Sequence, residues 1–177
     1  NLFKYMIILI GFPTSGKTTL GHLISVKLDK TFIDLDDLFK KNIQMTPEQY
    51  IKTYSFNKYR KIEYELLKYS INLKYDIIST GGGIAEYKLS RDLIKNYNII
   101  YLVKNKYLLH KDIFSRFPYL YTESFDNLYN RRHGYFMETT YNYYYIKHKH
   151  KQLSINDTAD DIINKYVTLI SLWFHEF

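Results

Sequence analysis

The chain has no cysteine. That excludes a disulfide framework, a thiolate nucleophile and a cysteine-held zinc site, and it is compatible with a reducing compartment. No apolar run approaches the roughly 20 residues that a bilayer span needs, so no membrane partner is expected. The apolar stretch near the start is short, has no small-residue cleavage site and leads straight into a glycine-bearing loop, which argues for a strand over a signal peptide. Linkers, internal repeats and signs of a second domain are also missing. The positive charge, +7 in all, lacks clustering. Only Lys147-His148-Lys149-His150-Lys151 forms a basic run, and it reads as a solvated helix end or loop. Scattered charge of this kind suits small anionic ligands, and no nucleic-acid partner is expected. Glycine is scarce, at seven residues, so a place where several stand together carries information.

What is present is enough for one globular domain: 177 residues, 46% of them hydrophobic. Position 1 is Asn, not Met, as expected of a processed chain or a domain cut from a longer multifunctional one. Gly11-Phe12-Pro13-Thr14-Ser15-Gly16-Lys17-Thr18 fits G-x-x-x-x-G-K-[ST] without a gap. Met6 to Ile10 before it is all apolar and reads as a buried parallel strand. From Thr18 to Leu28 after it, Leu20, Leu23, Ile24 and Leu28 stand at helical spacing. The motif therefore lies in a strand-to-helix turn, the context it requires. In such a turn Gly11 and Gly16 let the backbone N–H groups of Thr14, Ser15, Gly16, Thr18 and Thr19 gather round a polyphosphate. The helix start adds its positive dipole end. Lys17 reaches the outer phosphates, and the Thr18 hydroxyl can ligate Mg²⁺. A nucleoside triphosphate with Mg²⁺ is the expected ligand.

Further strands are predicted at Thr31–Leu35, Asp76–Ser79 and Asn98–Val103, with a weak fifth at Gln152–Ile155. Helices are predicted over 37–70 with a break near Thr46-Pro47, over Lys88–Lys95 and over Lys106–Ser115. A tyrosine-rich helix is read from Leu128 to about His148, broken near Gly134, and a closing helix over Asp157–Phe174 with Thr158 as cap. Arg116 to Asp126 has little periodicity and reads as a mobile loop. Alternating strands and helices imply a parallel sheet, with ligands at the carboxyl ends of its strands.

Three features lie on the acceptor side. Asp34 and Asp36 end a strand two residues apart; they serve either a metal and a hydroxyl, or a helix cap at Asp36 or Asp37. Gly81-Gly82-Gly83 implies close approach of a ligand to the backbone. Arg60, Arg116 and Arg132 are candidates to fork a carboxylate or phosphate.

Taken in order, these stretches resemble the shikimate kinase family. Its phosphate loop matches Gly11–Thr18, and its Asp-x-Asp strand end matches Asp34-Leu35-Asp36. Its Phe-Arg-x-x-Glu looks like Tyr59-Arg60-Lys61-Ile62-Glu63, and its triple glycine like Gly81-Gly82-Gly83. Its Arg-Pro-Leu-Leu lid is similar to Arg116-Phe117-Pro118-Tyr119-Leu120, and a late arginine motif to Arg132-His133-Gly134-Tyr135. The departures are Thr14 where the family has Gly, Ser55-Phe56 for Gly-Glu, the inserted Phe117, Lys111 where an arginine would stack on adenine, and the 147–151 loop.

The resemblance implies a three-layer α/β P-loop kinase fold, with a five-stranded parallel sheet flanked by helices and a mobile lid over about 116–126. It implies Mg²⁺-dependent transfer of the ATP γ-phosphoryl group to the 3-hydroxyl of shikimate, in aromatic amino-acid biosynthesis toward chorismate, by a cytoplasmic or organellar enzyme. By the same resemblance Lys17, Asp36 and Arg116 are catalytic. Asp34 and Thr18 stand on the metal side. Asp36, Arg60, Arg132 and the Gly81–Gly83 backbone hold shikimate. Two alternatives remain: a gluconate kinase-like enzyme, and a relative that binds nucleotide without catalysis.

Overall fold

The computed structural model describes residues 6–120, 123–146 and 154–167. Five strands, β1 (Ile7–Ile10), β2 (Phe32–Asp34), β3 (Ile77–Ser79), β4 (Asn98–Val103) and β5 (Tyr143–Tyr145), form one sheet in the order β2-β3-β1-β4-β5. Every pairing is parallel. The helices α1 (Lys17–Leu28), α2 (Leu35–Ile43), α3 (Pro47–Thr53), α4 (Phe56–Asn72), α5 (Lys88–Ile94), α6 (Lys106–Arg116), α7 (Phe125–Thr139) and α8 (Ile155–Ile162) connect and cover them.

The period-2 alternation of strands divides the core in two. Ile8 and Ile10 of β1 and Ile99, Tyr101 and Val103 of β4 face one layer, which α2, α4, α6 and α7 cover through residues such as Leu67, Leu109, Ile113 and Phe136. Ile7, Leu9, Ile100 and Leu102 face the other, closed by Leu20 and Ile24 of α1 and Ala159 and Ile162 of α8. Because both faces are covered, β1 and β4 read as unbroken apolar runs.

The break expected near residue 46 is a helix start. The Thr46 hydroxyl accepts from the Gln49 N–H while the Gln49 side chain accepts from the Thr46 N–H, with Pro47 in the first helical position. Ser55, one of the family departures, caps α4 by accepting from the Lys58 N–H.

The C-terminal third corrects the expectation. The tyrosine-rich helix ends at Thr139 and runs through Gly134 without a break. The fifth strand lies at Tyr143–Tyr145, not at Gln152–Ile155. Tyrosine is a good strand former, and the hydrogen bonds on offer at the open edge of β4 decide the matter: Tyr101 donates to the Asn142 carbonyl and Ile146 to that of Val103. Ile155 instead starts α8, whose cap is Ser154 and not Thr158; Ser154 accepts from the Asp157 N–H. The 147–151 run, Gln152 and the end of the closing helix lie outside the described residues. In the stretch read as a mobile loop, Arg116 ends α6, residues 118–120 form one 3-10 turn, and Phe125 begins α7. Among the described residues no helix is long and apolar enough to cross a membrane.

Candidate active site

The carboxyl ends of β1, β2 and β3 lie side by side, so the phosphate loop, Asp34 and Thr80-Gly81 emerge at one edge. Above them opens a cavity of about 540 Å³.

One side of it is the phosphate loop. Gly11 at φ 147° and Gly16 at φ 90° hold backbone shapes that L side chains rarely adopt. A Cβ at Gly11 would also stand 2.7 Å from the Leu102 carbonyl oxygen. Gly16 starts α1 with no side-chain cap and no acidic residue in the first turn, which leaves the N–H groups there for an anion. The hydroxyls of Thr14 and Ser15 are buried with no partner among the described residues. Thr14 itself takes φ 65°, so this departure from glycine is accommodated at the cost of a left-handed β-branched residue. Lys104 steadies it by donating to the Thr14 carbonyl at 3.0 Å. The buried Lys17 ammonium donates to the carbonyls of Gly11 at 3.0 Å and Phe12 at 2.8 Å. Burial lowers its pKa to about 8 against the pull of Asp36 and Asp34.

The Asp pair divides its work. Asp34, at the end of β2, caps α2: its Oδ1 accepts from the N–H groups of Asp36 at 2.8 Å and Asp37 at 3.3 Å. Its Oδ2 accepts from the Thr18 hydroxyl at 2.6 Å. Asp36 is therefore not the cap, and neither is Asp37. Asp36 sits in the first turn of α2 on the cavity wall. Burial, with Glu63 and Asp34 nearby, raises its pKa to about 6. Among the described residues no group of three or more His, Cys, Asp or Glu is gathered to hold a metal. A Mg²⁺ ion that keeps waters and phosphate oxygens needs no such group, and the Thr18–Asp34 pair fits that chemistry.

The other side is made of side chains. Arg60 and Arg132 are 8% and 3% exposed. The Arg60 Nη1 donates to Glu63, and its Nη2 to Glu86 Oε2 at 2.6 Å. The Arg132 Nη1 donates to the Gly82 carbonyl at 3.3 Å, and its Nη2 to the same Glu86 oxygen at 2.9 Å. Burial opposes the charge of Arg60, but Glu63 and Glu86 outweigh it and hold its pKa above the ordinary value. Burial lowers that of Arg132, with Glu86 pulling the other way. Burial also works against the Glu86 carboxylate, yet Arg132 and Arg60 bring its pKa down to about 2.

The triple glycine makes room for the protein's own groups. A Cβ at Gly81 would stand 2.2 Å from Glu63 Oε1, one at Gly82 would stand 2.3 Å from the Pro13 ring, and one at Gly83 would stand 2.0 Å from Arg60 Nη2. What approaches that backbone is Glu63, the phosphate loop and Arg60.

Of the residues singled out in the sequence, the cavity wall brings together Thr14, Gly16, Lys17, Thr18, Thr19, Asp36, Arg60, Gly82, Gly83, Arg116 and Arg132. Gly11, Ser15, Asp34 and Gly81 do not line it. Arg116 is exposed at the end of α6. Sequence reasoning missed Glu86, the carboxylate between the arginines. Its signal was a lone acid in the apolar stretch that follows the triple glycine: a carboxylate drawn into the fold there needs a cation.

A family model described as Shikimate kinase matches residues 13–168. The chain is 42% identical over 93 residues to a pentafunctional AROM polypeptide of Pneumocystis carinii, covering 51% of this chain and 6% of that one. It is 39% identical over 95 residues to a shikimate kinase of Staphylococcus haemolyticus, covering 54% of this chain and 55% of that one. The match thus spans at most about half the length of these two relatives. Among solved structures, a shikimate kinase from Acinetobacter baumannii in complex with shikimate superposes with a TM-score of 0.79 over 97% of this chain and 96% of that one, at 21% identity. At that identity the likeness is one of fold.

Proposed function

The chain belongs to the shikimate kinase family, and from that premise we propose that it transfers the γ-phosphoryl group of ATP to the 3-hydroxyl of shikimate. One observation carries the reading: two buried arginines, Arg60 and Arg132, share a cavity with Lys17 and Asp36. A cyclic polyol bearing one carboxylate has a use for both ends of such a cavity.

The protein's work is positioning and charge stabilisation. The first turn of α1 and the loop N–H groups receive the phosphates. Lys17 exchanges its bonds with the Gly11 and Phe12 carbonyls for the transferring phosphoryl, and Arg116 reaches it from the cavity rim. Thr18 and Asp34 would hold Mg²⁺, which neutralises charge between the phosphates when bound. Arg60 and Arg132 take the acceptor's carboxylate, with the Gly82–Gly83 backbone beside them. Asp36 receives a ring hydroxyl and takes its proton; a raised pKa suits a group that must accept one near neutral pH. The 118–120 turn, with Tyr119 on the cavity wall, covers the site and keeps water from the phosphoryl.

The test is a coupled assay of ADP release with shikimate, with gluconate and with neither. Release that depends on shikimate is expected. Release with gluconate only, or none, overturns the reading.

A further inference from the structure

Glu86 stands outside the motifs and off the wall of the large cavity. It lines a smaller one, about 240 Å³, behind the arginine layer, together with Arg131. Its two oxygens have separate tasks. Oε2 accepts from Arg60 Nη2 at 2.6 Å and from Arg132 Nη2 at 2.9 Å. Oε1 accepts from Arg131 Nη2 at 2.8 Å and Nε at 3.3 Å. Arg131 is anchored in turn by Glu123.

The two arginines come from α4 and α7, elements far apart in the chain. Side by side and buried, like charges repel strongly. A single carboxylate oxygen of Glu86 accepts from both, and Glu63 pairs with Arg60 as well. Arg60, Arg131 and Arg132 meet Glu63, Glu86 and Glu123, three cations against three anions. The Nε of Arg132 is buried with no partner among the described residues. Arg132 also lines the large cavity, so the cluster keeps one donor unused beside it.

We propose that Glu86 is a positioning residue: it holds Arg60 and Arg132 at the spacing that one acceptor carboxylate bridges, and Arg131 holds Glu86. The proposal rests on the acceptor reading above. Glu86 does not touch the acceptor; it acts through the two guanidiniums. Residue 86 then sets affinity for the carboxylate end of the acceptor, with no part in nucleotide binding or in the phosphoryl step.

The experiment compares wild type, Glu86→Gln, Glu86→Asp and Arg131→Gln, using shikimate and its uncharged methyl ester in steady-state kinetics and titration calorimetry. Glutamine keeps the shape but not the charge. It should raise KM and Kd for shikimate about tenfold or more, leaving kcat and the KM for ATP within about twofold. Binding of the methyl ester should not change between wild type and Glu86→Gln. Glu86→Asp should recover part of the affinity, and Arg131→Gln should weaken shikimate binding by a smaller factor. Unchanged shikimate affinity in Glu86→Gln overturns the proposal, as does equal weakening for acid and ester, which marks a general loss of structure. If Glu86→Gln does not fold, Arg131→Gln, altered at an exposed side chain, decides by the same acid-to-ester contrast. Should wild type bind shikimate but release no ADP, the catalytic reading falls, and calorimetry still decides the role of Glu86. Absence of shikimate binding to wild type overturns both.

Discussion

The two sides of the cavity are built from different materials. The phosphate side is nine consecutive residues, Gly11 to Thr19, and its working groups are mostly backbone N–H donors at a helix start. The acceptor side draws Asp36, Arg60, Glu63, Glu86 and Arg132 from four separate elements, and its working groups are charged side chains that hold one another. A backbone site is made once the local chain folds. A side-chain site exists only after distant elements have packed, and each member depends on its neighbours. Damage should therefore be confined on the first side and spread on the second.

Lys17→Met carries the largest expected effect. It removes a charge that works on the transferring phosphoryl, so kcat should fall about a hundredfold or more. The KM for shikimate should stay near wild type; a large rise would break the division between the sides. Stability should move the other way. Burial holds the Lys17 pKa at about 8, below its ordinary 10.5. The unfolded chain then binds more protons between those values, so this residue makes the ligand-free fold less stable at pH 7 and releases that cost as pH rises from 8 toward 10.5. Melting of nucleotide-free Lys17→Met at pH 7 should come at a higher temperature than wild type.

Asp36→Asn lies at the boundary between the sides. Asparagine still meets a hydroxyl but does not take its proton, so kcat should drop about a hundredfold, while calorimetry shows Mg·ATP binding retained. With a pKa raised to about 6 from 3.8, Asp36 favours the fold below pH 3.8 and loses that contribution as pH rises through 6. The substitution should thus stabilise the metal-free protein at pH 7 by up to about 3 kcal/mol, with no gain at pH 4. Unchanged kcat would remove Asp36 from the chemistry.

Much of this contrast was legible in the amino-acid sequence. A backbone site leaves a contiguous signature, so the loop, its strand and its helix were readable from Gly11 to Leu28. Asp36, Arg60 and Arg132 came from ordered motifs. Glu86 did not, because a carboxylate whose only task is to sit between arginines has no spacing of its own. The division of labour between Asp34 and Asp36 was also hidden: both the capping and the metal-side readings were open until Asp34 was seen to accept from both following N–H groups and from Thr18. The fifth strand was misplaced for a different reason. Its residues, Tyr143-Tyr144-Tyr145, have no alternation of polarity to read, and only the waiting edge of β4 makes them a strand.

Arg60→Lys sharpens the acceptor side with a smaller change. Lysine keeps the charge but cannot serve Glu63 and Glu86 as a planar fork, so the KM for shikimate should rise about tenfold, with that for ATP unmoved. A parallel rise in both would show that the network reaches the phosphate loop.

The smallest effect is expected for Thr14→Gly. It relieves a β-branched residue at φ 65° and deletes a buried hydroxyl without a partner, so the nucleotide-free protein should gain about 1 kcal/mol, read as a rise in Tm of a few degrees. A lower Tm would mean that Lys104 and its neighbours have fitted themselves to threonine.

The Pro13 ring lies where a Cβ of residue 82 would be, at 2.3 Å. Each side of the cavity thereby limits how the other can drift over generations. Position 82 admits no side chain while a proline stands at 13, and a bulkier residue at 13 has no room while the 82 backbone runs past it. A lineage that remodels its acceptor pocket at this point must first change the loop that holds phosphate, so acceptor preference and nucleotide handling are inherited together.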